Sequence, residues 1–317
     1  MLQEKTVDVI IPAYKPGEDF LNLLWMLQKQ TVKPGKIIVI VTENAEAVYP
    51  DFSAFENVTV LTVQETEFDH GNTRNRGAAE ASADQLLFMT QDAEPVDTHL
   101  IEHLLEAFRE PGVAVSYARQ LPKKDCRIIE RYTRRFNYPE TSRIKSAEDL
   151  KTLGIKTYFC SNVCAMYDRA IFEKLGGFTQ KTIFNEDMIF AHQAITNGYK
   201  IAYAAEAEVL HSHNLSGMQQ YRRNFDLAVS QADHPEVFEG LSSEKEGVSL
   251  ILNTTGYLLK TFRIWWIPYL YYQSIMKYLG YRRGKNYRKM SKKAILRCTM
   301  NRYFWEEENG TDQSDKM

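Results

Sequence analysis

Asp92 closes the run Leu86-Leu87-Phe88-Met89-Thr90-Gln91-Asp92, and a polar string, Asp69-His70-Gly71-Asn72-Thr73-Arg74-Asn75, stands shortly before it. The apolar residues suit a strand buried on both faces, so Gln91 and Asp92 must leave the sheet at the strand's carboxyl end. Open α/β sheets gather their ligands at that edge. Alone, an Asp so placed is ordinary turn chemistry. With one imidazole from His211 or His213, its oxygens suit Mg²⁺ or Mn²⁺ better than zinc. Arg74 offers a fixed positive charge for phosphate oxygens. Asp187, in Asn185-Glu186-Asp187 at a predicted helix start, is the candidate general base. The helix dipole favours its anion, so it is expected to stay ionised and able to take a proton near neutral pH. Glu186 shares that task or holds an acceptor hydroxyl. A plain helix-terminal carboxylate and a hydrogen-bonded structural histidine are the alternatives for Asp187 and for the histidines.

These residues need a scaffold that brings them together. Val7–Tyr14 reads as a first strand reaching Pro12-Ala13-Tyr14, with Lys15-Pro16-Gly17 as the turn out. Phe20, Leu23, Leu24 and Leu27 then share one helical face. Strands are expected over 36–41 and 58–63, an Ala-rich helix near 73–83, the strand before Asp92, and a helix from Asp97. A strand over 113–118 precedes a charged, irregular stretch, 119–156, expected as an insertion over the site. Thr157–Tyr167 reads as a strand entering a helix capped by Asp168 that ends at Gly176-Gly177. A helix from Asn185-Glu186-Asp187 ends near Gly198, and Lys200–Leu210 is the last strand. The alternation predicts an α/β fold with a mostly parallel central sheet flanked by helices. In it Ala13-Tyr14, Thr42-Glu43, Asp69 to Asn75, Asp92, Ser161-Asn162, Glu186-Asp187 and His211 with His213 all fall at strand ends or helix starts, which predicts one crevice. Transfer of a sugar from a nucleoside diphosphate needs a nucleoside pocket, a cation for the diphosphate and a base for the acceptor, and these residues offer each.

With 317 residues and 44% hydrophobic content, the chain can build one large domain with an appendage. Its four cysteines form no CxxC pair, and no signal peptide is seen ahead of Val7, so a reduced cytosolic setting is expected. Cys160 and Cys164 read as small buried residues rather than redox partners. Between Gly256 and Trp305 stand twelve Lys or Arg and no Asp or Glu, leaving 39 − 12 = 27 basic against 41 acidic residues elsewhere. The same stretch clusters Trp265, Trp266, Tyr269 and Tyr271 with Ile264, Ile267 and Leu270. That block suits an anionic lipid interface better than nucleic acid, whose partners interleave charge and aromatics. Lys260, Arg263, Pro268 and Lys277 interrupt it too often for a membrane span.

In order, Val9-Ile10-Ile11-Pro12-Ala13-Tyr14, Arg74-Asn75-Arg76-Gly77, Gln91-Asp92-Ala93, Gly176-Gly177-Phe178 and Asn185-Glu186-Asp187 resemble an inverting family 2 glycosyltransferase of the GT-A fold. The string from Phe68 to Asn75 with Thr90-Gln91-Asp92-Ala93 is similar to its bacterial rhamnosyltransferase branch. The resemblance covers about residues 6–235 and implies a Rossmann-like nucleotide-sugar-binding sheet. It implies donor contacts at Pro12, Ala13, Tyr14, Glu43, Asp69, His70, Gly71, Arg74, Gln91 and Asp92, with Tyr14, Glu43 and Asp69 on the nucleoside and Arg74 near the diphosphate. It also implies acceptor or sugar contacts at Ser161, Asn162, Asn185 and Glu186, catalysis by Asp187 with Glu186, and Mg²⁺ or Mn²⁺ on Asp92 with His211 or His213. One departure matters: Thr90 stands where the family's Asp-x-Asp motif begins, which weakens the expected metal site.

The expectation is therefore a GT-A domain over 1–235 and a helical, basic and aromatic extension over 236–317 that meets the membrane or another subunit, as in a homodimer. The expected reaction moves L-rhamnose from dTDP-β-L-rhamnose to a sugar hydroxyl of a lipid-linked or oligosaccharide precursor at the inner face of the cell membrane. A UDP-hexose or UDP-N-acetylhexosamine donor, and an inactive sugar-nucleotide-binding scaffold, are the alternatives. A dinucleotide oxidoreductase is disfavoured because Pro12-Ala13-Tyr14-Lys15-Pro16-Gly17 replaces the GxGxxG that would follow the first strand.

Overall fold

Val7–Ile11 and Ile37–Thr42 are each buried without a break, which only strands covered on both faces can be. In the computed structural model, which describes residues 5–44, 49–241 and 243–305, both lie inside a nine-stranded sheet. In chain order the elements are β1 (Val7–Tyr14), α1 (Glu18–Gln28), β2 (Ile37–Glu43), β3 (Val58–Gln64), α2 (His70–Glu80), β4 (Gln85–Met89), β5 (Glu94–Pro95), α3 (Leu100–Glu106) and β6 (Val113–Leu121). There follow α4 (Ile128–Asn137), β7 (Arg143–Lys145), α5 (Leu150–Leu153), β8 (Cys164–Asp168), α6 (Arg169–Lys174), α7 (Glu186–Thr196) and β9 (Lys200–Leu210). Five helices close the described chain: α8 (Gly217–Asp233), α9 (Pro235–Phe238), α10 (Ser243–Lys260), α11 (Ile267–Lys285) and α12 (Lys292–Cys298).

The strand order is β3-β2-β1-β4-β8-β6-β9-β5, with β7 also on β9. From β3 to β4 all pairing is parallel, as the alternating pattern predicts. Beyond β4 the sheet is mixed. The excursion after β6 returns the chain to the opposite end of the sheet, so β8 runs antiparallel to both β4 and β6, while β6 and β9 are parallel. Thr157–Val163 is not the expected strand. A 3₁₀ turn runs to Tyr158, and the Asn162 amide donates to a side chain instead of a ladder, so β8 begins only at Cys164. Asp168 caps α6 by accepting from the Ile171 amide at 3.2 Å, as expected.

The helical face Phe20, Leu23, Leu24 and Leu27 is buried on Val9, Ile11 and Val39. Against β4 and β8, the rings of Phe88, Tyr167, Phe172, Phe178 and Phe190 form a second apolar layer in mostly edge-to-face contact. At Gly77 a Cβ would run into Ile10 and Ile40, so this glycine sets how closely α2 lies on the sheet. All four cysteines are free and buried. Cys164 lies on β8, but Cys160 lies in the irregular stretch before it.

The chain divides into two compact units. One takes the residues to Gln64, Gly71–Gln180 and Glu186–His213, and holds the sheet. The other takes Glu65–His70, Lys181–Asn185 and the chain from Asn214, so α8 belongs with the helices and not with the sheet, as a boundary at 235 would have it. The reason is local: Gly280 and Gly284 on α11 leave room only for the α8 backbone at Tyr221 and Phe225. Ile183, Phe225, Val229, Ile295, Cys298 and Trp305 form this unit's core, with Tyr287 and Phe304 packed on it. Part of the aromatic tail is thus core rather than interface. Residues 306–317 of the expected extension lie outside the described residues. No described helix is long and apolar enough to cross a membrane.

Candidate active site

β4 ends at Met89, and Thr90 donates its backbone N–H to Val163 O at 3.1 Å, which turns the chain out of the sheet. Gln91 then clasps the end of β1: its Oε1 accepts from the Tyr14 amide at 2.7 Å and its Nε2 donates to Tyr14 O at 3.0 Å. Asp92 follows, and β5 pairs Glu94 with Leu210 at the end of β9. Leu121, the last residue of β6, also pairs with Leu210, and the His211 amide donates to Leu121 O at 2.9 Å. Three strand ends thereby converge. The Asp92 carboxylate stands 3.4 Å from His211 Nε2 and 3.3 Å from His213 Nε2. Among the described residues, these three form the one group of His, Cys, Asp or Glu side chains with metal-ligand spacing, all ligand atoms lying within 4.8 Å of one another. The sequence left His211 and His213 as alternatives, and both are present. They supply two donors where Thr90 withholds a carboxylate.

The orientation of His211 is set behind it. Arg134 Nη1 donates to Gln120 Oε1, and a guanidinium can only donate, so the amide oxygen faces it. The same oxygen lies 3.0 Å from His211 Nδ1, which must therefore carry a proton, while Gln120 Nε2 donates to Ser161 Oγ at 2.9 Å. Glu130 in turn holds Arg134 at 2.7 Å. In neutral His211 the Nε2 lone pair then points at a carboxylate oxygen, and two electron-rich atoms so placed need positive charge between them. That donor set, with its supporting hydrogen bonds, fits a divalent cation. Burial alone would raise the Asp92 carboxyl; when the imidazoles are instead protonated, the His211 hydrogen bond and the charges of both histidines hold it well below the usual carboxylate range, in the place a cation would take. Gln120 and Arg134 carry no motif. Only the β6 and β9 pairing brings Gln120 beside His211.

A second cluster holds the acids of α7. Arg74 Nη1 stands 3.3 Å from Glu186 Oε1, with both side chains nearly buried. Asn162 Nδ2 donates to the same Glu186 oxygen at 3.1 Å, and Tyr167 Oη donates to Asn162 Oδ1 at 2.7 Å. The Asn162 amide donates to Asp187 Oδ2 at 3.1 Å and the Met188 amide to Oδ1 at 2.8 Å. Despite these bonds, the Asp187 carboxyl is raised far above its ordinary value, because protein surrounds it and Glu186 adds a like charge. The helix dipole does not prevail here, so Asp187 is not the simply ionised carboxylate the sequence implied. The Arg74 guanidinium is buried against Glu186, since so deep a cation requires a carboxylate partner, and it steadies the acids of α7.

The other expected residues divide by unit. Glu43, at the end of β2, accepts from Gln64 Nε2 across the β2 and β3 register. Pro12, Ala13 and Tyr14 end β1, with Tyr14 exposed. Gly71 has no room for a Cβ beside Thr179 O, so packing explains it. Asn75 does likewise for the Gly-Gly-Phe turn, bonding both the amide and the carbonyl of Phe178. Asp69, His70 and Asn185 fall in the second unit. There Asp69 accepts from the Thr182 amide at 3.1 Å, and the His70 ring lies edge-on to Phe68. Asn185 is buried, adopts a left-handed φ of 66° and donates to Leu227 O, which shapes the turn into α7. Cys160 has its thiol pushed up to about 12 by burial, with Asp187's charge adding, which leaves it inert as a nucleophile. Beside Asp92 opens a cleft of about 380 Å³ whose walls include Lys15, Gly17, Gln91 and Lys123. Lys15 and Lys123 were not singled out in the sequence, where they read as turn and insertion residues.

A parallel sheet that turns mixed at β8, with an Asp and two His at its carboxyl edge, defines a GT-A glycosyltransferase. The family model for glycosyl transferase family 2 matches residues 8–176, and the chain belongs to that family. Over 303 residues it is 37% identical to the O-antigen chain rhamnosyltransferase RfbN of Salmonella typhimurium, covering 94% of this chain and 96% of that one. It is equally identical to the O-antigen chain rhamnosyltransferase WbaN of Salmonella anatum, covering 94% and 95%. Among solved structures it is similar in fold to the mannosyltransferase PcManGT of Pyrobaculum calidifontis, solved with GDP-Man and Mn²⁺, at TM-score 0.60 and 13% identity over 91% of this chain and 89% of that one. It is also similar to TarS 1–349 of S. aureus, solved with UDP-GlcNAc, at TM-score 0.51 and 17% identity over 90% and 92%.

Proposed function

We propose that the protein is an inverting rhamnosyltransferase, moving L-rhamnose from dTDP-β-L-rhamnose to a sugar hydroxyl of a lipid-linked O-antigen-type precursor at the inner face of the cell membrane. The observation that carries this is the 37% identity, over nearly the whole chain, to two O-antigen chain rhamnosyltransferases. The acceptor oxygen attacks the anomeric carbon, Asp187 takes its proton, and the bond from that carbon to dTDP breaks on the opposite face, so β-linked donor gives α-linked product. A raised carboxyl supports the role, because a base works best when its pKa lies near the working pH. Glu186, braced by Arg74 and Asn162, holds the acceptor. Tyr14, Gln91 and the lysines of the cleft orient the donor.

Asp92, His211 and His213 are the residues that would hold Mg²⁺ or Mn²⁺, and the two imidazoles favour Mn²⁺. When bound, such an ion supplies positive charge to the departing diphosphate. The basic, aromatic stretch 256–305 faces an anionic membrane surface where lipid-linked acceptors reside. The test offers dTDP-rhamnose, UDP-glucose, UDP-galactose and UDP-N-acetylglucosamine in parallel with a lipid-linked oligosaccharide acceptor. Transfer from dTDP-rhamnose alone, giving an α-linkage by NMR, is expected. Transfer from a UDP-sugar in its place would overturn the donor assignment.

A further inference from the structure

Helix α10 ends in an unusual cap. The Arg263 amide donates to Leu258 O at 2.8 Å and the Phe262 amide to Leu259 O at 3.1 Å, the paired bonds of a Schellman motif, with Phe262 at the left-handed position, φ 55°. Glycine ordinarily occupies that position because a side chain strains it. Here it carries a phenylalanine that is 83% exposed. Its neighbours are no better covered: every residue from Leu259 to Trp265 is exposed, Trp265 at 68%. Strain and exposure at once, in one bulky ring, have no stabilising return within the chain.

We infer that the turn between α10 and α11 is a wedge that inserts Leu259, Phe262, Ile264 and Trp265 into the headgroup region of an anionic bilayer. Lys260 and Arg263 alternate with these side chains, placing cations at the depth of lipid phosphates. On α11, Leu270, Gln273, Gly280 and Gly284 face inward, while Tyr271, Ile275, Tyr278 and Leu279 continue the exposed apolar surface on the other side. Charge selects lipid as the occupant, since from 256 to 305 there are twelve basic residues and no acid. Two copies of so basic a surface would repel each other. Tyr287, Phe304 and Trp305 are not part of the wedge, because they pack in or on the helical core.

The inference rests on the reading of 256–305 as a membrane-facing stretch and narrows it to seven residues. Phe262→Gly is the decisive variant, because glycine keeps the cap and relieves the strain, so the fold is retained as circular dichroism and melting will verify. Full-length protein is floated with vesicles of phosphatidylglycerol and phosphatidylethanolamine, and with phosphatidylcholine alone. Wild type is expected to bind the anionic vesicles preferentially, with Trp265 fluorescence quenched by brominated lipid. Phe262→Gly and Trp265→Ser are each expected to bind at least about tenfold more weakly, since each removes a side chain whose burial is worth at least that factor. Turnover on a soluble acceptor stays unchanged. If wild type binds and the variants bind equally well, the wedge is wrong while the membrane-facing stretch stands. If wild type does not bind, both fail. If the variants instead convert a dimer to a monomer with vesicle binding intact, the surface joins two copies and the wedge is again wrong.

Discussion

Gln120 Oε1 lies 3.0 Å from His211 Nδ1 and also accepts from Arg134, so a glutamine on β6 fixes the tautomer of a histidine after β9. Partners of this kind commonly set metal affinity by about 10- to 100-fold. Gln120→Leu is expected to weaken Mn²⁺ binding by that range, measured by calorimetry or by the Mn²⁺ paramagnetic resonance signal. Gln120→Glu, which keeps the acceptor, should lose less.

The Asp92, His211 and His213 group predicts that metal stabilises the fold. At about a hundredfold its dissociation constant a ligand contributes about 2.7 kcal/mol, visible as a rise in melting temperature. Asp92→Ala should abolish that rise and weaken donor binding. His213→Ala should reduce it, and Mn²⁺ should act at lower concentration than Mg²⁺.

Asp187 predicts the pH dependence of turnover. A base must be ionised, and its carboxyl is raised by surrounding protein and by Glu186. The rate should therefore climb with pH through a limb well above the ordinary carboxylate range near about 4, then level off. A profile already flat from pH 5 upward would show that burial does not act on this group in the working enzyme.

Asp226 on α8 makes a separate prediction about stability. Its Oδ2 accepts from the Met300 amide at 2.8 Å, yet burial pushes the carboxyl up to about 7. The folded state thus holds a proton that the unfolded chain releases near about 4, so the stability Asp226 contributes is full below that value and is lost as pH rises toward 7. Melting temperature should fall from pH 5 to pH 8, and the Asp226→Asn variant should show a flatter profile.

Much of the scaffold was legible in the residues. The spacing of Phe20, Leu23, Leu24 and Leu27 gave α1 its buried face, and the unbroken apolar runs gave β1, β2 and β4. What escaped depends on chain return. The antiparallel entry of β8 follows from how the 119–156 excursion closes, which no local periodicity encodes. Asp92, Asp187, His211 and His213 stood out because polar residues at strand and helix ends are conspicuous. Gln120 falls in the stretch 119–156 that reads as an irregular insertion and gains meaning only from the β6 and β9 register, and the burial of Arg74 against Glu186 is a tertiary fact that no local pattern encodes. Glycines and Asn75 in the motif strings turned out to serve packing.

The central claim is that Asp187 takes the acceptor's proton during glycosyl transfer. Asp187→Asn preserves shape and removes the basic oxygen, and its turnover with dTDP-rhamnose and a lipid-linked acceptor is the most direct test. The expected result is a kcat lower by about 10²- to 10⁴-fold with donor affinity nearly unchanged. A variant that turns over at the wild-type rate would contradict the account.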